Sequence, residues 1–431
     1  MTNIFARMVR RGSSNVVSVP SMDGALKPNR ALEDADLVTE LPAPDSVVLS
    51  KGRLVIASEK RLVEVTLKGG GISVLPSLPV EASYSCTLPD GSFLVGMVGG
   101  SITVLDGPFA GQVLQSIGGK PMIASEKGLV EVTLNGGGIS VLHSLPAEAS
   151  CMCTLPDGSF VVGMVGGSIK VLDGPFSGQV IQSLGGKPIV CPTAMHCVDE
   201  SNIILCIGSS VHGPEQWRRD LLSHGQTGSV WKIDLRSGNG MPLANRLAFP
   251  NGVTQTKDGK VIVSESWKHR IVELEPSGKL KVLLEDMPGY PARLAPSEDQ
   301  SGFWLSVFAP RRPAIELILQ EDQFCADMMN GIDEQYWMAP ALRSGRDFKE
   351  PLLGGAVKHL GIMKPWAPTR SYGLVVRLNS DFQPTSSFHS RGDGNRHGVT
   401  DCVEIAGHLY VVSKGGNAVL DIALIAKEIQ S

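Results

Sequence analysis

Residues 56–121 return almost unchanged as residues 123–188, with 55 of 66 positions identical at a fixed offset of 67. "IASEKRLVEVTLKGGGISVL" becomes "IASEKGLVEVTLNGGGISVL", and "CTLPDGSFLVGMVGGSITVLDGPF" becomes "CTLPDGSFVVGMVGGSIKVLDGPF". A period this exact limits the chain to an architecture that tolerates repetition of one small unit. Such near-identity reads as a tandem duplication and not as two separately tuned sites. Within each copy a weaker half-repeat is visible. "RLVIASEKRLVEVTLKGGGISVLPSL" and "SFLVGMVGGSITVLDGPFAGQVLQSI" share a rhythm of three strands, each group preceded by a fourth. Four strands in about 35–45 residues is one blade of a β-propeller.

Elsewhere, short alternating apolar runs are separated by Gly, Pro and Asp-Gly turns. The phrase strand, turn, strand recurs at "MHCVDESNIILCIG", "VTQTKDGKVIVSES", "APSEDQSGFWLSVF" and "VTDCVEIAGHLYVVS". With one duplicated unit set aside, six blades are expected, near 45–80, 83–117, 188–237, 245–283, 292–378 and 396–430. With it there are up to eight blade-like units, one of them (119–147) too short for an inner strand. Residues 1–44 form an N-terminal segment, with "NVVSVP" (15–20) the expected closing strand, and 45–431 one propeller domain. Two stretches break the strand rhythm: "PEQWRRDLLSHG" (214–225) and 313–343 read as helical, the second within an insertion at about 311–369. Long insertions on a compact fold are uncommon unless they act, so edge protection and a lid over a central pocket are both open.

Net charge is −4, from 39 basic and 43 acidic residues, without long runs of either sign. That speaks against a nucleic-acid partner. No apolar run is long enough to cross a bilayer, and "MTNIFARMVRRG" lacks an apolar core with a cleavage site, so a cytoplasmic protein without stable membrane insertion is expected. The eight cysteines contain no CxxC pair and are expected as free, mostly buried thiols. GxSxG, HExxH, Walker and dinucleotide fingerprints are absent from the sequence. Function in a propeller concentrates where the innermost strands begin. The phrases there place Asp45, Cys86, Thr193, Asn251, Arg293 and His397 around the channel, a convergence of polar groups suited to a small molecule. Glu265 is expected to pair with Lys268 or Arg270.

The ordered phrases "CPTAMHCVDESN", "SSVHGPEQWRRDLLSHGQTGSVWKID", "LAFPNGVTQTKDGKVIVSES", "MPGYPARL" and "GFWLSVFAPRRP" resemble the strictosidine synthase-like proteins. These are six-bladed propellers related to the gluconolactonase (senescence marker protein) and paraoxonase families. The resemblance spans roughly 188–320 and, less closely, the last blade. In the lactonase relatives a calcium ion is held by a Glu of the first blade, Asn residues of middle blades and an Asp of a "PDN"-like phrase. The resemblance aligns Asn251 with one ligand and Asp45 with the Glu, and gives Thr193 where an Asn is expected. Ala292 and Arg293 stand where the Asp-Asn pair would be. Calcium, which needs six to eight oxygens, is therefore implied with only two ligands left, Asn251 and Asp45. Strictosidine synthase uses a Glu of its final blade, where this chain has His397 or Thr400. The leading expectation is a lactonase- or esterase-type hydrolase. Arg293 and Asn251 would polarise a carbonyl and His397 or Asp45 would activate water, while Asn251, Thr193 and Tyr290 contact the small-molecule substrate. A non-catalytic ligand- or partner-binding propeller and a carbon–nitrogen lyase or synthase are the alternatives. Oligomeric state is not legible.

Overall fold

The computed structural model describes residues 18–50, 53–65, 139–345, 347–351 and 369–424, with the backbone of short strands between 67 and 131, at 358–359 and at 362–363. Six four-stranded antiparallel sheets stand in a ring, each inner strand beside the next. Blade one is Pro44–Ser50, Arg53–Ser58, Arg61–Val65 and Ile139–Ser144. Blade two is Ala149–Thr154, Phe160–Met164, Ser168–Leu172 and Val180–Ile181. Blade three is Pro192–Cys197, Asn202–Ile207, Gly228–Asp234 and Asn239–Leu247, and blade four is Pro250–Gln255, Val261–Glu265, Arg270–Leu274 and Leu280–Leu284. Blade five is Gly289–Pro296, Gly302–Pro310, Gly373–Asn379 and Pro384–Ser390. Blade six is Val399–Ile405, His408–Ser413 and Ala418–Ala423, with Asp36–Glu40 as its outermost strand.

That last strand closes the ring by joining the two ends of the chain. It lies in the expected N-terminal segment but is not the 15–20 stretch. Residues 18–20 form no strand, and 15–17 lie outside the described residues.

Side chains on successive strand residues point to opposite faces, and each face of a blade packs on a different neighbour. Along blade two, Cys151 and Cys153 enter the core shared with Ile203, Leu205 and Ile233 of blade three. Met152, between them, enters the core shared with Val55, Ala57 and Leu62 of blade one. All six blade-to-blade seams carry such an apolar cluster. Strands buried on both faces read as near-continuous apolar runs, as in "NIILCI" (202–207), which is why alternation alone underestimates them. The seven described cysteines are free, six of them buried. Cys86 lies where no side chain is described.

Blade one is assembled from both repeats. Its first three strands precede or open the first copy, whereas its outer strand Ile139–Ser144 comes from the second, and blade two is entirely second-copy. The strands Ala82–Thr87, Phe93–Met97, Ser101–Asp106 and Val113–Gln115 form a four-stranded sheet of their own, which supplies no strand to the ring. Two differences between the copies favour this arrangement. The second copy offers Cys151 and Met152 where the first has Tyr84 and Ser85. Cys151 is fully buried, and a Cβ built on Gly163 opposite would already come within 2.6 Å of its sulfur, so a tyrosine there overpacks the seam. A serine at the Met152 position would forfeit a buried side chain.

Deleting 72–138 is therefore expected to leave a folded six-bladed protein. Deleting 118–184 instead places Tyr84 and Ser85 in the ring and is expected to cost about 2 kcal/mol or more. Urea unfolding of the two shortened chains checks this, and equal midpoints would remove the packing argument.

Candidate functional site at the channel mouth

Every inner strand begins with an irregularity in its register. Pairing skips a residue at Asp45 in blade one, Ser150 in blade two, Thr193 in blade three, Asn251 in blade four and Thr400 in blade six. In blade five it skips two, Ala292 and Arg293. A bulge leaves its extra residue outside the ladder and re-aims it. All seven residues line one cavity at the channel mouth. Pro44, Pro192, Pro250 and Pro291 precede the bulge in four blades, where a residue without an N–H donor suits a broken ladder. In "AFPNGV", Gly252 is required by contact: a Cβ there would lie 2.2 Å from the Ala292 carbonyl oxygen. The buried Glu265 fixes the preceding turn. Its Oε1 accepts from the Ala248 N–H at 2.7 Å, and its Oε2 pairs with Arg270 at 2.6 Å.

Arg293 dominates the floor of the cavity. From blade five its guanidinium donates to the Asp45 carbonyl of blade one, to the Ser150 carbonyl of blade two at 2.5 Å and to the Thr193 carbonyl of blade three at 3.2 Å. It pairs with Asp45 Oδ1 at 2.5 Å and lies 3.7 Å from Asp401 Oδ2 of blade six. Lys414 Nζ takes the other Asp45 oxygen at 2.6 Å and reaches Glu148 at 3.4 Å. Burial opposes ionisation of Asp45, but Lys414 and Arg293 outweigh it and hold the carboxyl below its ordinary value. At Asp401 burial prevails over Arg293 and the pKa is raised. Burial likewise disfavours the Arg293 cation, yet the Asp45 and Asp401 carboxylates more than compensate.

This donor set does not fit the calcium that the family resemblance implies. The converging carbonyls and the Asp45 carboxylate are already satisfied by Arg293 and Lys414, and a divalent ion would have to sit against the guanidinium. Among the described residues no group of three or more His, Cys, Asp or Glu side chains could hold a metal.

Of the residues singled out from sequence, the fold unites Asp45, Thr193, Asn251 and Arg293. Arg293 and Asp45 are engaged with each other and with backbone carbonyls. Thr193 Oγ donates to the Pro250 carbonyl at 2.6 Å. Asn251 alone of the four makes no side-chain hydrogen bond among the described residues. His397 is not at the mouth. It precedes the bulge of blade six by three residues and is buried, with Nδ1 2.8 Å from Ser371 Oγ and Nε2 2.7 Å from the Arg391 carbonyl. Tyr290 is fully buried behind the wall, its hydroxyl donating to Glu316 at 3.3 Å. In blade two the position given to Cys86 belongs to Ser150, because the second copy supplies the inner strand.

The walls were not foreseen. Trp217, Phe249, Phe308 and Leu342 enclose about 260 Å³, and Glu148, Glu215 and Lys414 add charge. Trp217 opens the helix α1 (Trp217–Leu222) of the 214–225 insertion. Behind the wall, Trp267 stacks on Phe249 at 4.4 Å and donates its Nε1–H to the buried Asp220 at 2.8 Å. The second insertion carries α2 (Pro313–Ile318) and α3 (Asp322–Gly331). Cys325, Met328 and Trp337 of this insertion pack on Leu222 of α1, and Arg218 pairs with Glu334 at 2.9 Å. Leu342, at its end, reaches the cavity. The insertions thus form one cap over the mouth.

Arg293→Met would strand Asp45 and Asp401 without their shared partner. It is expected to destabilise the fold by about 3–5 kcal/mol, measured by urea unfolding at pH 7; a loss under 1 kcal/mol would contradict the role given to Arg293. Burial also depresses His196 to about 4, His269 to about 3 and His389 to about 4, and lowers His397. Their folded pKa values lie below the unfolded value near 6.5, so their stabilising effect is complete above that pH and is lost as pH falls towards 4. The melting temperature is expected to decline across that window, and a flat profile from pH 7 to 4 would refute it.

Residues 194–275, in blades three and four, match the strictosidine synthase family. No curated protein matches the chain. Among solved structures, the chain is similar to selenomethionine-substituted virginiamycin B lyase from Staphylococcus aureus, at 11% identity and a TM-score of 0.43, covering 90% of this chain and 98% of that one. A catalytically inactive variant of that lyase with quinupristin gives 12% identity and a TM-score of 0.42, with the same coverage. Among the described residues no helix is long and apolar enough to cross a membrane. The chain is thus a six-bladed β-propeller whose third and fourth blades carry the match to the strictosidine synthase family.

Proposed function

We propose that the channel mouth is a binding site for a small molecule with an apolar body and a polar group that meets Asn251. One observation carries this reading. A cavity of about 260 Å³ walled by Trp217, Phe249, Phe308 and Leu342 contains a bulged asparagine amide with no hydrogen bond among the described residues. Ser150 Oγ, buried and without a hydrogen-bonded oxygen or nitrogen partner among the described residues, offers a second polar contact. Pockets of this kind use apolar walls for affinity and a few polar groups for orientation. The wall aromatics are held by ring contacts with Trp267, itself hydrogen-bonded to Asp220, so little ordering cost falls on the ligand.

A hydrolase of lactonase or esterase type is the second reading, and Glu148 is what favours it. Its carboxylate is 38% exposed, borders the cavity and lies beside Lys414, a position from which it can take a proton from water. Asn251 would then face the substrate carbonyl. A strictosidine synthase-type condensation has less support, because the final blade presents Thr400, whose hydroxyl is donated to the Asp45 carbonyl at 2.8 Å.

Titrating medium-chain lactones, phenyl esters and arylalkylamines against tryptophan fluorescence tests the proposal. At least one class is expected to bind saturably, with affinity reduced about ten-fold in Asn251→Ala and in Trp217→Leu. Product formation lost in Glu148→Gln would establish the hydrolase reading. Saturable binding by none of the three classes would overturn the site.

A further inference from the structure

A second cavity opens on the same face of the ring, between blade five and the N-terminal segment. Gly289 pairs with Pro310, and Gly373 with Ser390, so these strand ends share the end of blade five at which Ala292 and Arg293 bulge. Arg311 and Arg312 follow Pro310, Tyr372 precedes Gly373 and Arg391 follows Ser390. All four border a space of about 440 Å³, whose remaining wall comes from prolines and residues 19–22. No carboxylate lines it.

The arginines around it are unequally paired. Arg311 is held between Asp286 at 2.6 Å and Glu316 at 3.2 Å. Arg391 lies 3.7 Å from Asp393, which Arg30 shares at 3.5 Å. Among the described residues Arg312 has no carboxylate partner. Its Nε donates to the Thr369 carbonyl at 3.0 Å, and the forked end of the guanidinium meets no acceptor among them. Burial lowers the pKa of this guanidinium, with only Tyr372 opposing the shift. A half-buried cation kept without a counter-ion is costly unless an anion completes it.

We propose that this cavity binds a phosphate group carried by a small organic body. Guanidinium forks match phosphate oxygens in pairs, and Arg312 and Arg391 around one space, with the paired Arg311 beside them, suit a doubly charged oxyanion better than a monocarboxylate. The volume exceeds that of phosphate alone, and the proline and methionine walls suit the organic portion. The phosphate can arrive on a soluble monoester or on a lipid headgroup.

Calorimetric titration of the full chain with phenyl phosphate, and co-sedimentation with phosphatidylcholine vesicles containing phosphatidic acid, separate these sources. Saturable phenyl phosphate binding is expected, weakened about ten-fold or more in Arg312→Gln and less in Arg312→Lys, with both variants melting as the parent does. Vesicle binding without phenyl phosphate binding, lost in Arg312→Gln, would assign the same site to a headgroup. Binding of neither probe, or binding unchanged in a folded Arg312→Gln variant, would overturn the proposal.

Discussion

The guanidinium of Arg293 ties together four blades that are not its own. Rising from blade five, it binds backbone carbonyls of blades one, two and three and lies between the carboxylates of blades one and six. Bulged strand starts turn their carbonyls towards the axis, where water is scarce and each unsatisfied acceptor is costly. A cation on the axis satisfies several of them at once. An arginine does so without any requirement for six to eight ligands, and it needs balancing negative charge, which Asp45 and Asp401 supply. The same saturation withdraws Arg293 from chemistry. What remains available to a ligand is the group that Arg293 does not reach, the Asn251 amide, together with the exposed Glu148 carboxylate and the aromatic wall.

The bulges explain why the site was half legible in sequence. The Pro-Asp, Pro-Thr, Pro-Asn and Pro-Ala-Arg phrases announce a broken ladder in four blades, and there Asp45, Thr193, Asn251 and Arg293 border the cavity. Blades two and six lack that proline. Without it the register slipped by three residues in each, to Cys86 in place of the Ser83/Ser150 position and to His397 in place of Thr400. A shift of three reverses the face of a strand, so the histidine was assigned to the channel when it belongs to a seam. Tyr290 illustrates a different limit. It lies two residues before the bulge, on a strand buried from both sides, and nothing in "GYPARL" distinguishes a residue facing the cavity from one behind it. The aromatic wall could not be read at all, because Trp217, Phe249 and Phe308 meet only once blades three, four and five are closed into a ring.

The duplication shows how an architecture can absorb a repeat that its ring cannot use. Six blades satisfy the closure set by the N-terminal strand Asp36–Glu40 on Ala418–Ala423. Because the two copies are nearly identical, the outer strand of blade one can be taken from either, and taking it from the second leaves one 67-residue length out of the ring. The choice then rests on the few positions that differ, and Cys151 and Met152 sit in two different seams. Close packing makes these small differences decisive.

The cap gives the mouth its rigidity. Leu342 approaches so closely that a Cβ on Gly415 would lie 1.9 Å from its carbonyl oxygen, and one on Gly398 would lie 2.7 Å away. Such contact is possible only because both neighbours lack side chains, and Gly398 has a positive φ besides. At the other edge, the buried Asp220 carboxylate holds Trp267 through its indole N–H and His212 through Nδ1 at 3.2 Å. Trp267 in turn stacks on Phe249 and lies parallel to Trp217. Both insertions are therefore fixed to the blades by contacts that bear directly on the cavity wall. A cap held in this way shapes the ligand that fits more than it controls when the ligand enters. Selectivity at this mouth should follow the spacing of its aromatic walls, which the described part of the long insertion helps to set through Leu342.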